Sequence, residues 1–169
     1  MQAAPFLDGR LVISIAAGIR TQDIARWMGT QNVVRCMPNT PALIRCGVTA
    51  LYATPAVKPE HCQRAEAILS AVGSTFWLED EGLLDAVTAI SCSGPAYVFY
   101  FIEAMQQAAY ELGVDEEQAR QMVLDTFIGA SKLAELSKEN VATLRARVTS
   151  KNGTTERALH TLDSLRVKQ

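Results

Sequence analysis

The pattern of apolar and polar positions changes character once along the chain. Up to about residue 80, short apolar runs alternate with amphipathic stretches; beyond Gly82, apolar positions recur every three or four residues. Leu11-Val12-Ile13-Ser14-Ile15 is rich in β-branched residues and closes on Ala16-Ala17-Gly18, which predicts a buried parallel strand. Thr21 is placed to cap a short helix through Ile24, Ala25 and Met28 that stops at Gly29. Val33 to Met37 reads as a second strand, halted by Pro38-Asn39-Thr40-Pro41. Val48 to Tyr52 reads as a third strand and Ser74 to Leu78 as a fourth. Between them, Pro59 to Ala71 has helical spacing at Ala65, Ile68, Leu69 and Val72.

The second half is read as wholly helical. Ser93 with Pro95 opens a helix carrying Val98, Phe101, Ile102, Met105, Ala109 and Leu112, and Gly113 is its expected C-cap. Asp115-Glu116-Glu117-Gln118 starts another, with Ala119, Met122, Val123, Ala130, Leu133 and Ala134 on one face. Shorter helices are predicted around Val141 to Val148 and Thr155 to Leu165. The fold class is therefore α/β over residues 1–80, then all-α over 81–169. With Phe99, Tyr100 and Phe101 in succession, the helices are apolar on more than one face, which calls for cover from a second copy of the chain.

Composition narrows the function classes. Of 169 residues, 49% are apolar, and 16 basic against 18 acidic side chains leave a net charge of −2, which excludes disorder and gives no electrostatic footprint for nucleic acid or an acidic membrane. No apolar run reaches the 18 or so residues of a membrane helix, and Met1 to Asp8 lacks the order of a signal peptide. Cys36, Cys46, Cys62 and Cys92 form no CxxC pair, and His61 and His160 lie far apart. No metal site is expected; the cysteines read as buried reduced thiols of a cytoplasmic protein. The adjacent His61 and Cys62 read as a chance surface pairing, since sequence neighbours point different ways.

There is no Gly-rich dinucleotide fingerprint, P-loop or Ser/His/Asp set. Two segments stand out instead. Asp85 to Tyr97 clusters small and hydroxyl residues, and on its own reads first as a tight turn between two helices. Val148-Thr149-Ser150-Lys151-Asn152-Gly153-Thr154-Thr155 precedes a helix, where free N–H groups and the dipole end bind a carboxylate or phosphate. An ordinary threonine N-cap explains that motif equally well.

Four segments in one order say more. They are Ser14-Ile15-Ala16-Ala17-Gly18, Met37-Pro38-Asn39-Thr40-Pro41, Asp85-Ala86-Val87-Thr88 with Ser91-Cys92-Ser93-Gly94-Pro95-Ala96-Tyr97, and Ser150-Lys151-Asn152-Gly153-Thr154-Thr155. Together they resemble pyrroline-5-carboxylate reductase, the last enzyme of proline biosynthesis, over essentially the whole chain. The closing segment follows that family's signature from Leu144 through Val148, Thr149, Ser150, Asn152, Gly153 and Thr155 to Ala158-Leu159, Leu162 and Asp163. Cys92 departs from the family's usual Gly, and Lys151-Asn152 from the commoner Pro-Gly. Asn tolerates left-handed backbone, so the loop shape is expected to survive.

The resemblance implies the C-terminal part of a Rossmann NAD(P)-binding domain over 1–80. Over 81–169 it implies a helical dimerisation and substrate-binding domain like the C-terminal domain of 6-phosphogluconate dehydrogenase. The implied reaction is hydride transfer from NADPH or NADH to the C=N carbon of L-1-pyrroline-5-carboxylate, giving L-proline. Ile15, Ala16 and Ala17 would line the cofactor, Asn39 would lie near the nicotinamide, and Glu81 and Thr88, near the domain junction, would complete the cofactor-binding set. Ser150, Gly153, Thr154 and Thr155 would take the substrate carboxylate on backbone N–H groups, with the Thr155 hydroxyl on the ring nitrogen. A threonine is too weak an acid to act alone, so either the imine arrives protonated and Thr155 orients it, or a proton is relayed.

Family members begin with a strand and a Gly-rich turn for the cofactor pyrophosphate and end in further helices. These 169 residues are expected to lack both, and so to turn over little on their own. The other function class is a truncated, non-catalytic oligomerisation or binding module derived from this family. The expected partners are the small-molecule substrate and further copies of the chain, as a homodimer or higher homo-oligomer, without nucleic acid or membrane.

Overall fold

The structure, a computed structural model, describes residues 9–168; the Met1 to Asp8 segment read above for a leader lies outside them. The elements are β1 (Val12–Ser14), α1 (Thr21–Met28), β2 (Val33–Pro38), a 3-10 turn (Thr40–Ile44), β3 (Gly47–Ala53), α2 (Pro59–Ser70) and β4 (Gly73–Trp77). Then come α3 (Leu83–Val87), a π-helical turn (Thr88–Cys92), α4 (Gly94–Glu111), α5 (Glu116–Leu136), α6 (Val141–Arg147) and α7 (Thr154–Ser164). The fold class is thus α/β followed by all-α. Two compact units are separated between Phe101 and Ile102, within α4.

In the first unit the four strands form one sheet in the order β1-β2-β3-β4. β1 and β2 are parallel, β2 and β3 antiparallel, β3 and β4 parallel. The antiparallel step follows from chain length, because the 3-10 turn is too short to carry a parallel crossover. β1 is an edge strand and only half-buried, which corrects the expectation of a buried one.

β2 is buried on both faces, and its alternation sorts the core. Val34 and Cys36 meet Leu51 and Ala65, the latter on α2. On the opposite face Val33 meets Ile24 and Ala25 of α1, and Met37 meets Ala50 and Leu84 of α3. Arg35 therefore lies in the same row, between the residues that carry α1 and α3, and is only 3% exposed. Ile68, expected on the packed face of α2, is exposed instead. Of the cysteines only Cys36 is buried, where burial pushes its thiol up to about 12; Cys46 is exposed, and Cys62 and Cys92 are intermediate.

Two capping expectations fail in this unit. Arg20, not Thr21, is the N-cap of α1, and Thr21 is the first helical residue. α4 begins directly after Ser93, as expected, but Ser93 lacks the extended backbone of an N-cap and Asp85 to Tyr97 is no turn. Thr88–Cys92 is π-helical, Ser93 keeps right-handed helical backbone, and its N–H donates to Thr88 O at 3.0 Å. The path from Leu83 into α4 thus bends through an inserted residue rather than through a loop.

In the second unit the Asp115 carboxylate caps α5, accepting from Glu117 and Gln118 N–H groups, and Asn140 caps α6 through Thr143 N–H. Along α4 and α5 only Ala109, Ala119 and Val123 are buried apolar residues. Met122 and Leu133, expected inside, are exposed, together with Met105, Tyr110, Leu112, Ile128 and Leu136. Such helices have far more apolar surface than they cover for each other. Among the described residues no helix is long and apolar enough to cross a membrane.

Candidate active site

Because β1 and β2 run parallel, their carboxyl ends lie at the same edge of the sheet, where ligands of open α/β folds sit. Ile15, Ala16 and Ala17 leave β1 there with exposed side chains, Ile15 at 63%. Gly18 follows with a φ of 73°, a left-handed turn in open space. Small residues and a bare backbone at this point leave room for a flat ring or a phosphate-bearing group.

Asn39 leaves β2 at the same edge, but its amide is fully engaged by the protein. Its Oδ1 accepts from Val48 N–H at 2.9 Å, and its Nδ2 donates to the Ser91 carbonyl and hydroxyl at 3.3 and 3.4 Å. Cys92, beside Ser91, donates its thiol to the Pro38 carbonyl at 3.3 Å; burial raises that thiol's pKa and keeps the donor protonated. The π-helical turn is thereby stitched to the end of β2. Thr88, on the same turn, spends its hydroxyl proton on the Leu84 carbonyl at 2.7 Å.

Glu81 stands just before α3 and reaches back across the unit. Its Oε1 accepts from Thr21 N–H at 2.7 Å and Arg35 Nη1 at 3.0 Å, and its Oε2 from the Thr21 hydroxyl at 2.8 Å. Burial opposes its ionisation, but the Thr21 amide and hydroxyl and the Arg35 guanidinium outweigh that and hold its carboxyl below the usual range. Asn39, Glu81 and Thr88 are thus brought into one unit with Ile15 to Ala17, each of the three tied to protein groups. The tie to Ser91 and the pair of Thr21 with Arg35 were missed from sequence. A signal for the latter existed, since a lone arginine inside Val33-Val34-Arg35-Cys36-Met37 needs a buried partner.

The second set of residues stands before α7. Ser150 to Gly153 form a turn closed by Gly153 N–H on Ser150 O at 3.1 Å, with Asn152 left-handed at φ 62°. A Cβ on Gly153 would meet the Ser150 hydroxyl and press on the Ser150 carbonyl, so a larger residue there would make the Ser150 side chain turn away. The N-cap is Gly153, and neither threonine caps the helix with its side chain, contrary to the capping reading. The amides of Thr154, Thr155 and Glu156 leave the first turn without an intrahelical acceptor. Glu156 turns back and accepts from Asn152 N–H at 2.7 Å, which stiffens the turn. Arg147, before the loop, pairs with Glu139 at 2.6 Å. His61 binds the Asn32 side chain and takes no part in either set. No cluster of metal-ligating side chains occurs among the described residues.

A parallel strand pair with a small-residue exit, followed by a helical segment with an anion-ready loop, has the layout of a nucleotide-dependent enzyme with an appended helical domain. The family model for pyrroline-5-carboxylate reductase dimerisation matches residues 81–169. The reductase of Pseudomonas aeruginosa is 50% identical over 89% of this chain and 55% of its own length, and that of Haemophilus influenzae 42% identical over 100% and 63%. Among solved structures, the reductase of Coxiella burnetii superposes with a TM-score of 0.92 at 39% identity, covering 99% of this chain and 63% of that one. The Plasmodium falciparum pyrroline carboxylate reductase, solved with NADP bound, gives 0.90 at 30% identity over 98% and 66%. The chain belongs to the pyrroline-5-carboxylate reductase family. It spans a little over half the length of these curated relatives.

Proposed function

We propose that this chain serves the reduction of L-1-pyrroline-5-carboxylate to L-proline with NADPH or NADH, the last step of proline biosynthesis, in the cytoplasm and as a homodimer or higher homo-oligomer. The observation that carries the reading is the turn before α7. It leaves the first-turn amides of α7 without intrahelical acceptors and neither threonine hydroxyl spent as a helix cap, in a chain of this family. Residues 1–80 are read as the cofactor side and 81–169 as the dimerisation and substrate side.

The Ile15 to Gly18 exit fits a nicotinamide dinucleotide, because its small side chains and left-handed glycine keep the backbone open. Ile15, Ala16 and Ala17 are the residues that would hold it, with Asn39, Glu81 and Thr88 shaping the surroundings. When bound, the reduced nicotinamide supplies the hydride for the C=N carbon. The amides of Ser150, Thr154 and Thr155 take the substrate carboxylate, helped by the helix dipole, while Gly153 N–H closes the turn onto the Ser150 carbonyl that holds them in place. The Thr155 hydroxyl hydrogen-bonds the ring nitrogen, accepting from its N–H when the imine arrives protonated, and fixes the face presented for reduction. Its role is orientation, since its proton is far too tightly held for acid catalysis. The exposed apolar surface of α4 and α5 supports assembly with a second copy.

The test is pyrroline-5-carboxylate-dependent oxidation of NADPH or NADH by the full-length protein, followed by absorbance. Proline formed in step with cofactor oxidised is the expected result. A full-length protein that binds but does not reduce the imine would establish the non-catalytic module instead.

A further inference from the structure

The Arg35–Glu81–Thr21 cluster uses three elements that neighbour the exit from β1, and it touches none of the groups assigned to substrate. We infer that Glu81 is a positioning residue whose carboxylate clamps the start of α1, and with it the Ile15–Arg20 loop, in the form that receives the nicotinamide dinucleotide. The inference rests on the cofactor reading of Ile15 to Ala17.

Three observations carry it. The loop is short and exposed apart from Ile19, which packs on the core under α1, and its hydrogen bond within itself is Ala16 N–H on the Ser14 hydroxyl at 3.3 Å. One end is fixed by the pairing of Ser14 with Arg35 across the β1–β2 ladder, and the other by Thr21, held through both its amide and its hydroxyl. The amide is one that a helix start leaves without an acceptor, so a carboxylate from sixty residues away completes α1 and meets its positive end.

Arg35 in turn holds Glu81. Its side chain is 3% exposed, and its Nε is buried without a partner among the described residues, so Glu81 is its counter-charge. Arg35 sits in the row between Val33 and Met37, which carry α1 and α3, so the pair registers both helices on the sheet. A cleft of about 260 Å³ opens beside the pair, lined also by Arg20, Asp80, Gly82 and Asp85, and lets the neighbouring chain move if the clamp is released.

The experiment is hydrogen–deuterium exchange on the full-length protein, with calorimetric titration of oxidised NADP, for Glu81→Gln, Thr21→Val and Thr21→Ser. Glu81→Gln and Thr21→Val are expected to speed exchange over residues 15–24 about tenfold and weaken NADP binding about tenfold, while β2 and β3 exchange as in the wild type. Thr21→Ser, which keeps the hydroxyl, is expected within about twofold of wild type on both measures. Where Glu81→Gln fails to fold, the Thr21 pair carries the test. Unchanged exchange over 15–24 overturns the clamp, and faster exchange with unchanged NADP affinity overturns its role in positioning the loop for the dinucleotide. A wild-type protein that binds no dinucleotide overturns the cofactor reading and this inference's dinucleotide part, while the exchange data still decide whether Glu81 holds the loop.

Discussion

Thr154 and Thr155 occupy the first two helical positions of α7, and neither hydroxyl caps the helix, because Gly153 holds the N-cap place. Replacing either therefore removes little helix stability. For Thr155→Ala in the full-length enzyme, kcat is expected to fall roughly ten- to a hundredfold, the cost of about 1.5–3 kcal/mol for a hydrogen bond to a charged or charging nitrogen. Thr154→Ala keeps its backbone N–H and is expected to turn over nearly normally. Steady-state kinetics with thermal melts check both; a Thr155→Ala protein with normal turnover would remove the hydroxyl from the site. The neighbouring residues show why this loop holds its shape: Asn152 accepts left-handed backbone, and Gly153 leaves the space that Ser150 fills.

Element packing depends on the short α3, whose Leu84 is fully buried against Met37 and Ala50. Leu84→Ala is expected to cost about 2–5 kcal/mol, read as a lower urea midpoint, because the lost side chain leaves a cavity against Met37 and Ala50, which the β2–β3 ladder holds in place. Glu81, three residues earlier, makes the same packing sensitive to pH. Its folded carboxyl titrates below its ordinary value of 4.5, so the stability it adds is fully present above that value and fades as pH falls through the lower folded one. Arg35, Arg20, Asp80 and Asp85 face it, along with Thr21. Urea titrations at about pH 6 and about pH 3.5 are expected to show that loss in the wild type and a smaller one in Glu81→Gln. Equal losses would show that other groups govern acid stability.

Over the whole molecule, the exposed apolar surface sets the behaviour in solution. Phe99 and Tyr100 on α4 are 64% and 69% exposed, a placement that a helix without a partner does not sustain in water. Light scattering on the full-length protein is expected to give at least twice the chain mass. A charge placed on this surface, as in Tyr100→Glu, is expected to shift it towards monomer by leaving a buried charge unpaired. A wild type that stays monomeric at micromolar concentration would contradict the assembly.

Local pattern by itself determined the β and α halves, the four strands and six of the helices, though not α3 or the two tight helical turns, because hydrophobic period and backbone preference act over a few residues. The motif order was likewise legible, and with it the family. Tertiary structure alone decided the rest. β1 is an edge strand, so a run that reads as buried is half-exposed. Thr21 and Ser93 lost their caps to distant demands: a carboxylate sixty residues on completes α1, and the π-helical turn carries the chain past Ser93 without a break. Asn39, Glu81 and Arg35 reveal their partners only when β2 and the path into α4 lie side by side. Long-range polar pairing has no sequence period, so it becomes visible only in the folded chain.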